Sequence, residues 1–256
     1  MDELYLILAT LAFLGGFVLA VVSLRSEKPR KRGLNISIAV VGLIFQSLFL
    51  HVRGDMHGRC PITNGAEVLV FVSWSIVILY LALGKAFRLS LLGVFSMPMV
   101  FLFQVVAILY LLVADPGPRP VAVLDPWLEL HAAMSLLAYG AFGLAGVAGC
   151  MYFFQDRQLK SHRPGRLFYS MPPIRYLVDA LVRLLFIGVV LMSVGIVAAF
   201  LMKTAPARGH LLISGAVWIV YLILLVTHLV KRLPPKPLSF SAVLAFAFAL
   251  LTLSAL

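Results

Sequence analysis

The sequence predicts an all-α protein, a polytopic bundle of about eight transmembrane helices with both termini outside. Three observations carry this. Of 256 residues, 62% are hydrophobic and only 12% charged, where a soluble domain has about 45–50% apolar and about 25% charged residues. Mean hydropathy is +1.04, so there is too little polar sequence to cover a water-soluble globule. The basic residues, finally, gather in alternate loops. Disorder and nucleic-acid binding are excluded on the same composition, despite a net charge of +11.

Apolar runs occupy residues 2–24, 34–52, 66–84, 89–113, 130–154, 177–202, 210–230 and 238–256. Crossing a hydrocarbon core takes about 20 residues of helix, and each run suffices. None shows the alternation of a barrel strand, and lipid tolerates no unpaired backbone, so each run is read as a helix. The first begins Met-Asp-Glu and is too long for a signal-peptide core, so it reads as a true span. Pro98 should kink the fourth span, and Met97 and Met99 beside it read as gap fillers. Gly140, Gly143, Gly146 and Gly149 recur every third residue along the fifth, a spacing that permits close helix packing. Arg175, Asp179 and Arg183 share one face of the sixth and read as a structural ladder near the membrane surface. Residues 1–256 read as one integral membrane domain with no clear internal repeat.

The charges orient the bundle. Fifteen of the 21 Lys and Arg lie in one set of loops, which the positive-inside rule makes cytoplasmic. The net charge is therefore mainly a topology signal and a footing for anionic headgroups. Three connections are long: an outer one at 53–65, a proline-rich outer one at 114–129, and a basic, aromatic inner segment at 155–176.

Chemistry has few places to sit. There is no P-loop, nucleophile elbow or dinucleotide fingerprint, so activity is expected to be binding or assembly and not catalysis. Four of the six histidines fall at the outer face. His51 ends the second span, His57 follows in the loop, and His131 and His210 open the fifth and seventh. Neutral imidazole is a usual axial ligand to haem iron, and histidines at the mouths of two helices can grip a flat macrocycle. Interfacial tolerance of histidine alone would also give one per helix end. Asp55, His57 and Cys60 match no standard zinc spacing. Cys60 and Cys150 suggest no disulfide.

Residue patterns then resemble the cytochrome c assembly membrane proteins (CcsA/CcmC-like). CPITNGAEVLVFVSW from Cys60 is similar to the family's entry into a span. LHAAMSLLAYGAFG from Leu130 resembles the segment in which a histidine opens a helix. The runs Met171–Ala199 and Ala216–Leu225 resemble the two helices that follow. The chain's length and eight spans fit the smaller, HemX- or YpjD-like branch. The family's tryptophan-rich segment would precede the seventh span, where this chain reads Phe200 to His210 without a tryptophan.

The resemblance implies an integral membrane haem-handling protein of cytochrome c-type biogenesis in the cytoplasmic (inner) membrane, binding or presenting haem b at the outer face. It implies His131 as an iron ligand, with His210, His51 or His57 opposite, His210 being chosen on topology. Glu67 and Asn64 would fix the adjoining loop. Expected partners are the bilayer, haem, and other assembly subunits or apocytochrome c. The alternative is a non-enzymatic scaffold or regulator of a haem-synthesis or redox enzyme, acting through the inner segment 155–176. A small-solute transporter is disfavoured by the scarcity of buried charge.

Overall fold

A helix closes its own backbone hydrogen bonds, which is why apolar sequence of this length has one stable form in lipid. A computed structural model describes residues 2–25, 32–83, 92–114, 125–161, 171–202 and 208–253; within these, the side chains of residues 20, 23–25, 32, 94 and 208–210 are not described. The helices are α1 (Asp2–Arg25), α2 (Arg32–His57), α3 (Gly65–Leu83), α4 (Leu92–Ala114), α5 (Pro126–Lys160), α6 (Ile174–Phe200), α7 (Arg208–Lys231) and α8 (Pro235–Leu253). All eight are long and apolar enough to cross a membrane. No strand occurs among the described residues. Residues 115–124 of the proline-rich connection and 162–170 of the inner basic segment lie outside the described residues.

Two helices outrun their apolar stretches, for reasons visible in their end residues. α5 begins at Pro126 behind Asp125, whose carboxylate accepts from the Trp127 N–H at 3.1 Å; this is an N-cap with proline in the first turn. At its other end Lys160 Nζ lies 2.7 Å from Asp156 one turn back. Its 35 residues span about 52 Å, well beyond a ~30 Å core. α2 runs to His57, five residues past the predicted apolar end, where the buried Arg53 and His57 meet Asp2 of α1 and Glu67 of α3.

The helices group into two compact units, α1–α4 and α5–α8. Each is a closed circuit. In unit 1, α1 packs on α2 and α4, and α3 on both of those; in unit 2, α5 packs on α6 and α8, and α7 on both of those. Matching contacts recur. The ring of Phe13 on α1 occupies the space a Cβ at Gly42 of α2 would need, and the ring of Phe142 on α5 does so at Gly188 of α6. Five residues beyond each glycine sits a serine. Ser47 accepts from Trp74 Nε1 at 2.9 Å, and Ser193 accepts from Trp218 Nε1 at 2.9 Å. Three residues before each phenylalanine, Thr10 bonds Gln104 of α4 at 2.9 Å and Tyr139 bonds Thr252 of α8 at 3.0 Å. The two units therefore follow one plan, which the sequence does not announce because the matching residues are sparse among interchangeable apolar ones.

Unit 1 holds a buried polar layer that touches all four of its helices. Ser73 of α3 accepts from Gln46 Nε2 of α2 at 2.7 Å and from Gln104 Nε2 of α4 at 3.5 Å, and Gln104 reaches Thr10 of α1. Gln46, Ser73 and Gln104 are fully buried. An average interhelical bond in a membrane contributes only about 0.6 kcal/mol, but orphaning buried donors costs about 1–3 kcal/mol. Ser73→Ala leaves both glutamine amides short of an acceptor. We expect it to destabilise the detergent-solubilised protein by about 1–3 kcal/mol, read as a fall in the unfolding midpoint; an unchanged midpoint would remove the layer's structural role.

In unit 2, α5 and α6 pack closely along an antiparallel seam. A Cβ at Gly195 would stand 2.9 Å from Ser135 Oγ, Phe142 fills the space at Gly188, and a Cβ at Gly149 would touch Leu181 at 3.7 Å. These pairs recur every seven residues on both helices, the repeat that keeps one face of a helix on its neighbour. Gly146 and Gly149 also face α8, where a Cβ at 149 would meet the Ser239 carbonyl at 3.0 Å. Tyr221 of α7 stacks on Phe142 with ring centroids 3.5 Å apart.

Candidate functional site

Polar chemistry gathers at helix ends, and each unit has its own arrangement of it. In unit 1 it is built by two helix caps. α2 stops at Gly58, whose φ of +63° is the left-handed conformation that glycine adopts freely. Gly58 N–H donates to the Asp55 carbonyl at 3.3 Å and Arg59 N–H to the Gly54 carbonyl at 3.2 Å, the bond pair of a Schellman motif. α3 starts at Asn64, whose Oδ1 accepts from Glu67 N–H at 2.9 Å. Glu67 reaches back, its Oε2 accepting from Thr63 N–H at 2.7 Å, a variant of the capping box.

Glu67 does more than cap. Its Oε2 accepts from the Thr63 hydroxyl at 2.8 Å, and its Oε1 lies 2.9 Å from His57 Nε2. The His57 and Glu67 side chains are both fully buried. Thr63 Oγ1 is a further 3.3 Å from the same imidazole nitrogen. This cluster ties the end of α2 to the start of α3. One turn before His57, Arg53 is 1% exposed, its Nε 2.8 Å from Asp2 Oδ2 of α1, and its guanidinium lies 5.8 Å from the Phe49 ring centre.

Helical phase separates the histidines of α2. Arg53 and His57, four apart, face the interior. His51 and Asp55, four apart but offset by two residues, face outward; they lie 3.5 Å from each other and are 72% and 71% exposed. Asp55, His57 and Cys60 therefore do not assemble, and no cluster of three or more metal-ligating side chains occurs among the described residues. Neither cysteine is in a disulfide.

Unit 2 presents one imidazole of different character. His131, in the second turn of α5, is half-buried, and its Nδ1 lies 2.8 Å from the carbonyl oxygen of Gly195 on α6. A carbonyl only accepts, so Nδ1 carries the proton. In the neutral ring Nε2 is then an unprotonated lone-pair donor. A metal-bound histidine characteristically gives its other ring N–H to a carbonyl or carboxylate, so His131 fits the chemistry of an axial haem ligand. His57 does not, because Glu67 takes up its Nε2. His210 opens α7 in the same unit, but its side chain lies outside the described residues.

Sequence reasoning singled out His131, His57, Glu67 and Asn64, and it missed Arg53, Thr63 and Gly195. Arg53 and Thr63 were within reach, one by its four-residue spacing from His57 and one as the residue before an Asn-x-x-Glu cap. Gly195 carried no signal, since its part is played by a backbone carbonyl.

Eight helices long and apolar enough to cross a membrane define a multi-pass membrane protein. A family model described as cytochrome C assembly protein matches residues 62–255, and the chain belongs to that family, as a membrane component of cytochrome c biogenesis. Protein HemX of Brevibacillus brevis is 28% identical over 207 residues, which are 80% of this chain and 75% of that protein. Protein HemX of Bacillus subtilis (strain 168) is 30% identical over 123 residues, 47% of this chain and 44% of its own. The cytochrome c biogenesis protein CcsA of Porphyra purpurea is 25% identical over 152 residues, 56% of this chain and 48% of its own. The chain thus spans three quarters of the first relative and less than half of the other two.

Proposed function

We propose that this protein handles haem b in the cytoplasmic membrane, holding it at the outer end of unit 2 for other assembly components. His131 would hold the iron through Nε2, with His210 as the candidate second ligand. Haem would supply the redox-active iron; the chain would supply a nitrogen lone pair on a fixed ring. Bond formation to apocytochrome c is left to a partner, so the protein itself is not an enzyme. Both termini lie outside, which puts His131 on that side. His57, Glu67, Asn64 and Thr63 frame the first outer connection and do not ligate, and His51 stays at the surface.

The observation that carries this is the His131 Nδ1 bond to Gly195, which leaves Nε2 as the donor atom. Two variants separate ligation from packing. His131→Asn keeps an amide N–H for the Gly195 carbonyl but brings no lone-pair nitrogen; His131→Ala removes both. Protein purified from a haem-sufficient host is expected to show a Soret band in the wild type and to lose it in both variants, while His131→Asn keeps the wild-type unfolding midpoint. A wild type without the band, or a band unaltered in a His131→Ala, His210→Ala double variant, would refute the proposal.

A further inference from the structure

We infer that Gly195 is a positioning residue for His131, and that the close α5–α6 crossing, which has no room for a side chain at position 195, locks the imidazole with Nε2 bare. The inference rests on His131 being the haem donor. It adds which element sets the ring's tautomer and why that element is glycine.

The geometry is specific. A Cβ at position 195 would stand 2.9 Å from Ser135 Oγ, 3.3 Å from the His131 carbonyl oxygen and 3.4 Å from Ser135 N. The two backbones are therefore in near contact at this point. That approach places the Gly195 carbonyl 2.8 Å from Nδ1 of the ring one turn toward the helix start. Ser135 is buried, and its Oγ has no hydrogen-bond partner. The hydroxyl thus fills space beside Gly195 without anchoring anything. No side chain on α6 can replace this acceptor, because the crossing has no room for one. A carbonyl also cannot give a proton back, so it holds one tautomer where a hydroxyl would allow two. Losing the partner of a ligating histidine typically costs about 10–100-fold in metal affinity.

The test reads the ring and the haem separately. In haem-free protein labelled with nitrogen-15 in histidine, His131 is expected to show a protonated Nδ1 and an unprotonated Nε2. Gly195→Ala should push the helices apart, give a mixture of tautomers, and weaken haem binding about 10–100-fold. Ser135→Ala should leave both readings as in wild type. Combined with Gly195→Ala, it should recover part of the loss by removing the nearest obstacle. Gly188→Ala, on the same seam but seven residues away, should lower stability without changing the His131 nitrogen signals. A wild-type ring with Nδ1 bare, or freely exchanging, overturns the inference even if Gly195→Ala does not accumulate. A Gly195→Ala protein with wild-type nitrogen signals and haem affinity also overturns it and leaves the haem reading intact. A wild type that binds no haem sinks the haem reading and the predicted affinity change, while the tautomer still decides whether Gly195 sets the ring.

Discussion

Glu67→Ala is expected to be among the most damaging single changes in the chain. It removes the acceptor for His57 Nε2, Thr63 N–H and the Thr63 hydroxyl together. Breaking one side of a buried ionisable pair costs about 3–5 kcal/mol, several times an average interhelical bond in a membrane. Both ends of the α2–α3 connection lose their tie at once, so the helices should part at that end. The unfolding midpoint in detergent should fall by on the order of 10 °C. Glu67→Gln should fall between this and wild type, because its amide keeps one acceptor but turns a donor toward the remaining donors. A midpoint for Glu67→Ala within about 2 °C of wild type would show that the cluster contributes little.

The second large effect is expected at Gly188. Alanine is the better helix former by roughly 0.5–1 kcal/mol, so the sign depends on what surrounds the site. At Gly188 the Phe142 ring already fills the Cβ position, and overpacking costs about 1–3 kcal/mol. Packing outweighs propensity, and Gly188→Ala should destabilise; Gly188→Leu should prevent accumulation in the membrane. The Gly188→Ala cost should shrink in a Phe142→Leu background, a coupling that a double-mutant cycle measures directly. Gly215, with nothing within 4 Å of its Cβ position, supplies the contrast: Gly215→Ala should be neutral or slightly stabilising. Equal effects at the two glycines would contradict the described seam.

Both predictions rest on features that the sequence disclosed unequally. Asn64 and Glu67 stand three apart before an apolar run, a legible helix start, and the local cap forms as that pattern requires. That Glu67 also reaches across to His57 was not legible. The apolar run of α2 ends before Arg53, and only the partners met in the fold keep the last turn helical and turn His57 inward. The glycines of α5 were legible as packing positions, because a side-chain-free stripe at helical spacing has few other uses in a membrane. Their partners were not. Gly188 and Gly195 look like any other glycines in an apolar helix, and which ring or carbonyl meets them depends on the register of two helices.

The helix count and the helix positions came from sequence alone, because these follow from the transfer of single segments into lipid. Such terms are local and additive. The arrangement into two like-planned units, the burial of His57 against Glu67 and the proton placement on His131 were decided only in the tertiary structure. They depend on which helix faces touch and at what depth, and an apolar surface carries almost no information about that until a glycine, a ring or a carbonyl from another helix fills the space.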